Sequence, residues 1–359
     1  MTERKKRAVV FLFQPPNNLT LNYDKNWQPY DSDRPHFINF SDNLFFEKWE
    51  PEKRFLDEKE SIWKEWLGSI FWDEVTEKDG IVSLTYLESN EDSELREGDL
   101  VIKLHRAFLA FRIAFPFRPP AYTRSKILIC EFEGNQENYK ITKVNSVQPQ
   151  SGYVDPFYAR NSSKEQSQWY YNNFHREDVL VNVADFYKKT EGHLIEFRKF
   201  CKENNCEDRL KYDPSQLWAA IYCFSKALQD HEIGFLVPNY VRGMDCLLTL
   251  SKKQGSKDFG KIIVGFLKDE TFDNPFYEGF DLKKDLTDLY LVRNDCVHGR
   301  VWDYTFRENY KRKMETEELA RLTFVAEDIL RRLIKKFLFN EKLAELTFTR
   351  EGTESYWNS

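Results

Sequence analysis

The sequence predicts an α+β fold, with a β-rich N-terminal domain followed by an all-α helical bundle. Three observations predict it. Aromatic residues make up 16% of the 359 residues, with 30 Phe, and they gather in short apolar runs before residue 200, as a dense sheet core requires. From residue 213 onward apolar residues recur at the 3.6-residue helical period instead. Between the two lies a polar, turn-rich stretch, residues 148–176, with Gln148-Pro149-Gln150-Ser151-Gly152 and Asn161-Ser162-Ser163. The expected organisation is a sensor or regulatory domain over 1–150, a connecting loop and bridging helix over 151–212, a bundle over 213–345 and a loose tail over 346–359.

Residues 8–13 read as a buried strand, ended by Gln14-Pro15-Pro16-Asn17-Asn18, and His36–Phe40 as a short strand. Residues 53–73 carry a broad apolar stripe through Phe55, Ile62, Trp66 and Ile70 and predict a helix. Ile81–Leu87 is a further strand. Leu100–Phe117 is rich in β-branched and aromatic types and fits two strands or one long bent one, stopped by Pro116, Pro119 and Pro120. Lys126–Phe132 and Tyr139–Val147 resemble a hairpin around Gly134-Asn135. Glu177–Asn204 is the bridging helix. In the bundle, Asp213-Pro214 starts a helix to Gln229, Pro238 opens a second to Leu250, and Asp258–Leu267 is a third. Asp281–His298 is the fourth and Thr316–Leu338 the fifth.

A net charge of −6 excludes a global basic footprint for nucleic acid. Any RNA contact must rest on a local patch. Arg300, Arg307 and Lys311, with Arg312 and Lys313, are the best candidates because they follow the fourth helix. Arg331-Arg332 with Lys335-Lys336 reads as a solvated helix face. No apolar run approaches the roughly 20 residues that span a bilayer, and no leader peptide is read at the start. The six cysteines form no Cys-x-x-Cys pair. A reduced cytoplasmic setting, no disulfides and no membrane partner are the expectation. Asp285, Asp288 and Asp295 read as helix-surface charge rather than a metal site. His105 reads as a satisfied core histidine in an apolar strand, and His36, His175, His193 and His231 have no partner at useful spacing. Neither a metal nor a cofactor is expected.

The most informative stretch is Arg293-Asn294-Asp295-Cys296-Val297-His298, followed by Gly299. The apolar seam of its helix runs through Leu282, Leu286, Leu289 and Tyr290, and continues through Arg293 to Cys296 and Val297. An arginine thus stands where a leucine belongs, and a guanidinium taken from water needs an anion or an open cleft. Asn294 and His298 are four residues apart and share a helix face. Arg to hold a phosphate, His to move protons and Asn to orient one or the other is a set suited to phosphate chemistry. The plain alternative is a helix C-terminus, where cations and a trailing Gly are ordinary.

The run Leu289–Gly299 resembles the signature of the HEPN superfamily, an Arg and a polar residue followed by a His at a short offset. It looks most like the ApeA-like branch. Asn239–Leu248 also fits, with Asp245 in the place of the acidic residue that precedes two leucines there. The resemblance covers residues 213–340. It implies a metal-independent endoribonuclease of antiviral defence or toxin systems, acting by attack of the RNA 2′-hydroxyl on the adjacent phosphorus. His298 would be general base or acid. Arg293 would bind the phosphate, and Asn294 would orient the imidazole or contact RNA. It also implies a homodimer through the bundle, which would supply a second imidazole, and leaves room for a neutralising or trigger protein. The runner-up is a non-catalytic member that binds RNA or protein, and the third reading is a plain structural bundle.

Overall fold

The computed structural model describes the backbone of residues 4–12, 36–41, 44–48, 82–88, 125–134, 139–147, 176–212, 214–229, 233–249, 256–272, 281–298 and 316–358, and part of 102–113. Side chains are described for eight residues of 102–113 and for 184–210, 214–228, 235–249, 258–272, 281–298 and 321–357. The chain divides into two compact units, Met1–Lys188 and Lys189–Ser359. The division falls inside the helix expected to bridge them.

In the first unit the backbone runs through β1 (Arg4–Leu12), β2 (His36–Ser41), β3 (Leu44–Lys48), β4 (Val82–Glu88), β5 (Ser125–Gly134) and β6 (Tyr139–Val147). Their order is β2-β3-β4-β1-β5-β6, and every neighbouring pair is antiparallel. Central β1 sets Val9 opposite Thr85 on one side and Leu128 on the other.

The expected fold class nevertheless needs correction. Among the 135 residues whose side chains are described, 85% are helical and none lies in a strand. The α+β description with a β-rich N-terminal domain therefore gives way to a described core that is helical. Leu100–Phe117 shows the reason. Residues 102–104, 106, 107, 109, 110 and 113 are helical, not extended. Leu104, Ala107, Ala110 and Ile113 are buried at three-residue steps, the spacing of a helix face rather than the alternation of a strand. Two alanines on that face favour the helix, and the aromatic and β-branched neighbours masked them. The helix expected over 53–73 and the loop over 148–175 lie outside the described residues.

The second unit is built from the end of α1 (Arg176–Glu203), short α2 (Arg209–Tyr212), α3 (Gln216–Gln229), α4 (Ile233–Leu248), α5 (Ser256–Phe266), α6 (Leu282–Val297), α7 (Thr316–Phe339), α8 (Glu341–Leu346) and α9 (Arg350–Asn358). Helix α4 is the centre and packs on α3, α6, α7 and α9. Its Val237, Tyr240, Val241, Met244, Leu247 and Leu248 are fully buried. So are Ala220, Phe224 and Ala227 of α3, Leu286, Leu289 and Val292 of α6, and Val325, Ile329, Leu333 and Phe337 of α7.

Local chemistry sets the helix ends. Ser215, not Asp213, caps α3: its Oγ accepts the Trp218 N–H at 3.2 Å. Helix α4 begins at Ile233 and runs through Pro238, so the proline sits inside the helix and does not open it. Pro238 has no N–H to offer the Gly234 carbonyl, so the helix gives up that one bond in its second turn. Asp281 caps α6 by accepting the Lys284 N–H at 3.1 Å. The expected loose tail is instead helical. Trp357 of α9 donates its indole N–H to the Leu247 carbonyl at 3.1 Å and meets the Phe266 ring edge-on at 5.0 Å.

Two glycines permit close helix crossings. A Cβ on Gly243 would lie 2.7 Å from Leu330 Cδ2, and one on Gly260 would lie 2.6 Å from the Lys283 carbonyl oxygen. The second obstacle is backbone and cannot rotate away. Gly260→Ala is therefore expected to lower stability by about 1–3 kcal/mol despite alanine's better helix propensity. Gly192 of α1 has nothing within 4 Å of its added Cβ, and Gly192→Ala should raise stability by about 0.5–1 kcal/mol. Urea midpoints of the two variants moving in opposite directions is the check; a common direction would refute the packing account.

The basic run Arg331-Arg332 is not a solvated face. Arg331 is buried, donates to Glu327 Oε1 at 2.6 Å and stacks over Phe224. Glu327 Oε2 in turn accepts the Tyr240 hydroxyl at 3.0 Å. Arg332 spans Asp328 and Glu270, each at 2.8 Å. His193 also has a partner that spacing did not reveal. Its Nε2 lies 3.0 Å from Ser215 Oγ, its ring packs on Phe348, and burial pushes its pKa down to about 4. The folded state thus resists a proton that the unfolded chain takes near the ordinary 6.5. Stability is intact above about 6.5 and falls as pH drops towards 4, at roughly 1.4 kcal/mol per pH unit for this group. Thermal midpoints across that window should show the loss, and His193→Gln should flatten it; an unchanged slope in the variant would count against this source.

Candidate active site

Helix α6 carries the candidate residues in its last two turns. Its buried face is Asp285, Leu286, Leu289, Val292 and Cys296, so Leu286, Leu289 and Cys296 of the expected seam turn inward, while Asp285 and Val292 rather than Tyr290 and Arg293 complete it. Arg293 consequently sits at the margin of the core, with about a quarter of its side chain exposed (27%). Val297, expected on the seam, is exposed.

Three groups hold the Arg293 guanidinium. Nη1 donates to Asn294 Oδ1 at 2.8 Å. Nη2 lies 3.7 Å from Asp245 Oδ2 of α4. The Tyr290 ring, one turn back, lies under it with Cζ 5.6 Å from the ring centroid. Tyr290 is itself braced by Phe259 of α5 at 5.0 Å. Helices α4, α5 and α6 thus all contribute to where this arginine points.

Asp245 is electrostatically uncomfortable. Burial pushes its pKa up to about 6, against the opposing pull of Arg293. Its Oδ1 is buried and has no hydrogen-bond partner among the described residues. Burial, then the neighbouring Asp245 charge, also raises the Tyr290 phenol, with Arg293 opposing.

His298 is the C-cap of α6. Its backbone N–H reaches the Asn294 carbonyl at 3.0 Å. Its side chain is exposed and makes no hydrogen bond or ion pair with the described residues. The structure therefore joins Arg293 to Asn294 directly and sets His298 one turn beyond Asn294, on the solvent side. It does not bond the imidazole to either. Arg300, Arg307 and Lys311 lie outside the described residues.

Spacing alone missed Tyr290 as the platform for Arg293. The signal was present in the three-residue offset between an aromatic and a cation. Asp285 was read as surface charge, but it is buried and takes a two-pronged contact from Arg321 of α7 at 2.9 and 3.0 Å. Among the described residues no group of three or more His, Cys, Asp or Glu could hold a metal ion. No described helix is long and apolar enough to cross a membrane. Cys201, Cys206, Cys223, Cys246 and Cys296 are free thiols.

No family model, no curated protein and no solved structure matches the chain.

Proposed function

We propose that the second unit is a metal-independent endoribonuclease of the HEPN kind. The observation that supports it most is the placement of Arg293: a cation at the core margin, oriented by Asn294, Asp245 and Tyr290, one turn from an exposed imidazole at the helix end. A fixed guanidinium stabilises charge that develops on a phosphate more than a mobile one does. Histidine is the side chain most often used to take or give a proton in such reactions, and this one is exposed at the helix end. In this reading the 2′-hydroxyl attacks the adjacent phosphorus, the 5′-oxygen leaves, and the products carry a 2′,3′-cyclic phosphate and a 5′-hydroxyl. His298 acts as base or acid. One imidazole does not readily serve on both sides of one phosphate, so a two-fold homodimer through the bundle would supply the second. The setting would be cytoplasmic phage defence or a toxin system, with the first unit as regulator or RNA selector.

Total RNA incubated with the purified chain in EDTA is the test. New 5′-hydroxyl ends and cyclic phosphates are expected, and intact RNA would sink the proposal. A second reading draws on the same contacts. Every partner that orients Arg293 belongs to the bundle itself, which is also what an arginine that only fixes the fold would show. RNA that co-purifies without being cut, or no RNA at all, would favour that reading.

A further inference from the structure

Two of the carboxylate–guanidinium pairs that join helices of this bundle differ in kind. Asp285 and Arg321 meet through both oxygens and both terminal nitrogens, at 2.9 and 3.0 Å. That is the geometry an arginine–carboxylate pair adopts when it is structural. Asp245 and Arg293 do not meet this way. Arg293 Nη2 lies 3.7 Å from Asp245 Oδ2, beyond hydrogen-bond reach. Asp245 Oδ1 is left buried without a partner among the described residues. Arg293 spends Nη1 on Asn294 and keeps Nη2 only loosely engaged. A buried carboxylate with an unsatisfied oxygen is costly, so the pair is poorly served on both sides.

We propose that Asp245 is a built-in competitor at an oxyanion site, occupying the field of Arg293 until a tetrahedral oxyanion displaces it. The ligand class is a tetrahedral oxyanion such as a phosphate ester or sulfate, which can take the hydrogen bond from Nη2 that Asp245 does not. This deepens the nuclease reading and rests on it for the identity of the natural ligand. It does not rest on it for anion binding itself.

A carboxylate competes only when ionised. The groups facing Asp245 are Arg293 and Tyr290 from α6, with Cys246 beside it on α4; Cys223 of α3 and Arg242 act on that thiol in turn. Burial pushes Asp245 up to about 6, while burial raises Tyr290 and the bond to Cys223 raises Cys246; the same bond pulls Cys223 down. Acidification therefore neutralises the competitor and frees the cation. The fraction of competent sites sets the apparent affinity, so anion binding should tighten as pH falls.

Inorganic sulfate is the probe, because it stays a dianion over the whole range. It is titrated calorimetrically into the full chain at constant ionic strength. Native protein is expected to bind roughly 25-fold more tightly at about pH 5.5 than at about pH 7.5, as a competitor titrating near 6 requires. Asp245→Asn should already show the tighter value at the higher pH and lose most of the pH dependence. His298→Ala should keep the dependence, which separates Asp245 from the exposed imidazole. Arg293→Ala should not bind. The proposal is overturned if Asp245→Asn binds no better than native, or if the acid response vanishes in His298→Ala. Binding that survives in Arg293→Ala also overturns it. Should Asp245→Asn fail to fold, as judged by its circular dichroism, native protein and His298→Ala decide alone. RNA cleavage is scored separately: a sulfate response without cleavage removes the nuclease reading and leaves the anion site standing, and cleavage without the response does the reverse.

Discussion

Replacing His298 with alanine is expected to slow RNA cleavage by about 10²–10⁴-fold, the range a positioned proton-transfer group supplies. The fold should survive, because His298 contributes to α6 through its backbone N–H, and its side chain is exposed. Circular dichroism and the urea midpoint should therefore match the native protein. Arg293→Ala is expected to lose a comparable factor, since it removes the charge that would face the phosphate. Arg293→Lys should not rescue it. An ammonium cannot bond Asn294 and an oxyanion in one plane, nor stack flat on Tyr290 as the guanidinium does. Retained cleavage in purified His298→Ala or Arg293→Ala would sink the assignment of these groups. End mapping of the residual products would show whether any remaining activity is the same reaction.

Asp285→Ala is expected to be the most damaging single change to stability described for this bundle, at about 3–5 kcal/mol. It leaves the Arg321 guanidinium at the α6–α7 contact without the carboxylate that satisfies two of its nitrogens. The cost belongs to the stranded charge rather than to the net worth of the pair. A double change, Asp285→Leu with Arg321→Met, should for that reason recover most of the loss. Urea unfolding of the two singles and the double measures it. A double variant as unstable as the sum of the singles would contradict the reasoning.

These pairs also show how far the sequence could be read. The start of α6 was legible because it rests on local chemistry, an aspartate side chain capping the first turn, and a glycine in the sequence signalled where to end it. The exceptional status of Arg293 was legible from one cation on an apolar helix. Leu286, Leu289 and Cys296 of the inward face were legible, but its edges were not. Whether Tyr290 and Arg293 or Asp285 and Val292 complete the stripe turns on a single position, and only the packing of α4 and α5 on α6 chooses. The same limit hid Asp285, whose partner lies 36 residues away on α7. Among helix starts, Ser215 was passed over for Asp213 because both are good caps and the choice depends on where α3 must meet the Thr347 carbonyl. Pro238 was taken as a start signal because nothing local shows that a helical turn precedes it. The segment at 100–117 failed for a related reason. Short apolar runs carry little periodicity, and residue preference alone pointed to strands.

The indole of Trp357 on the Leu247 carbonyl bears on how the site moves. It fixes the last turn of α4, two residues beyond Asp245, to the end of the chain, and the aromatic rings of Phe266 and Phe337 close over it. The amides of that turn should exchange with solvent only when the whole bundle opens. Those beside His298, at an exposed helix end, should exchange by local fraying. The carboxylate that meets Arg293 thus belongs to a stiff element and the imidazole to a yielding one. Such a division lets one partner hold still while the other swings.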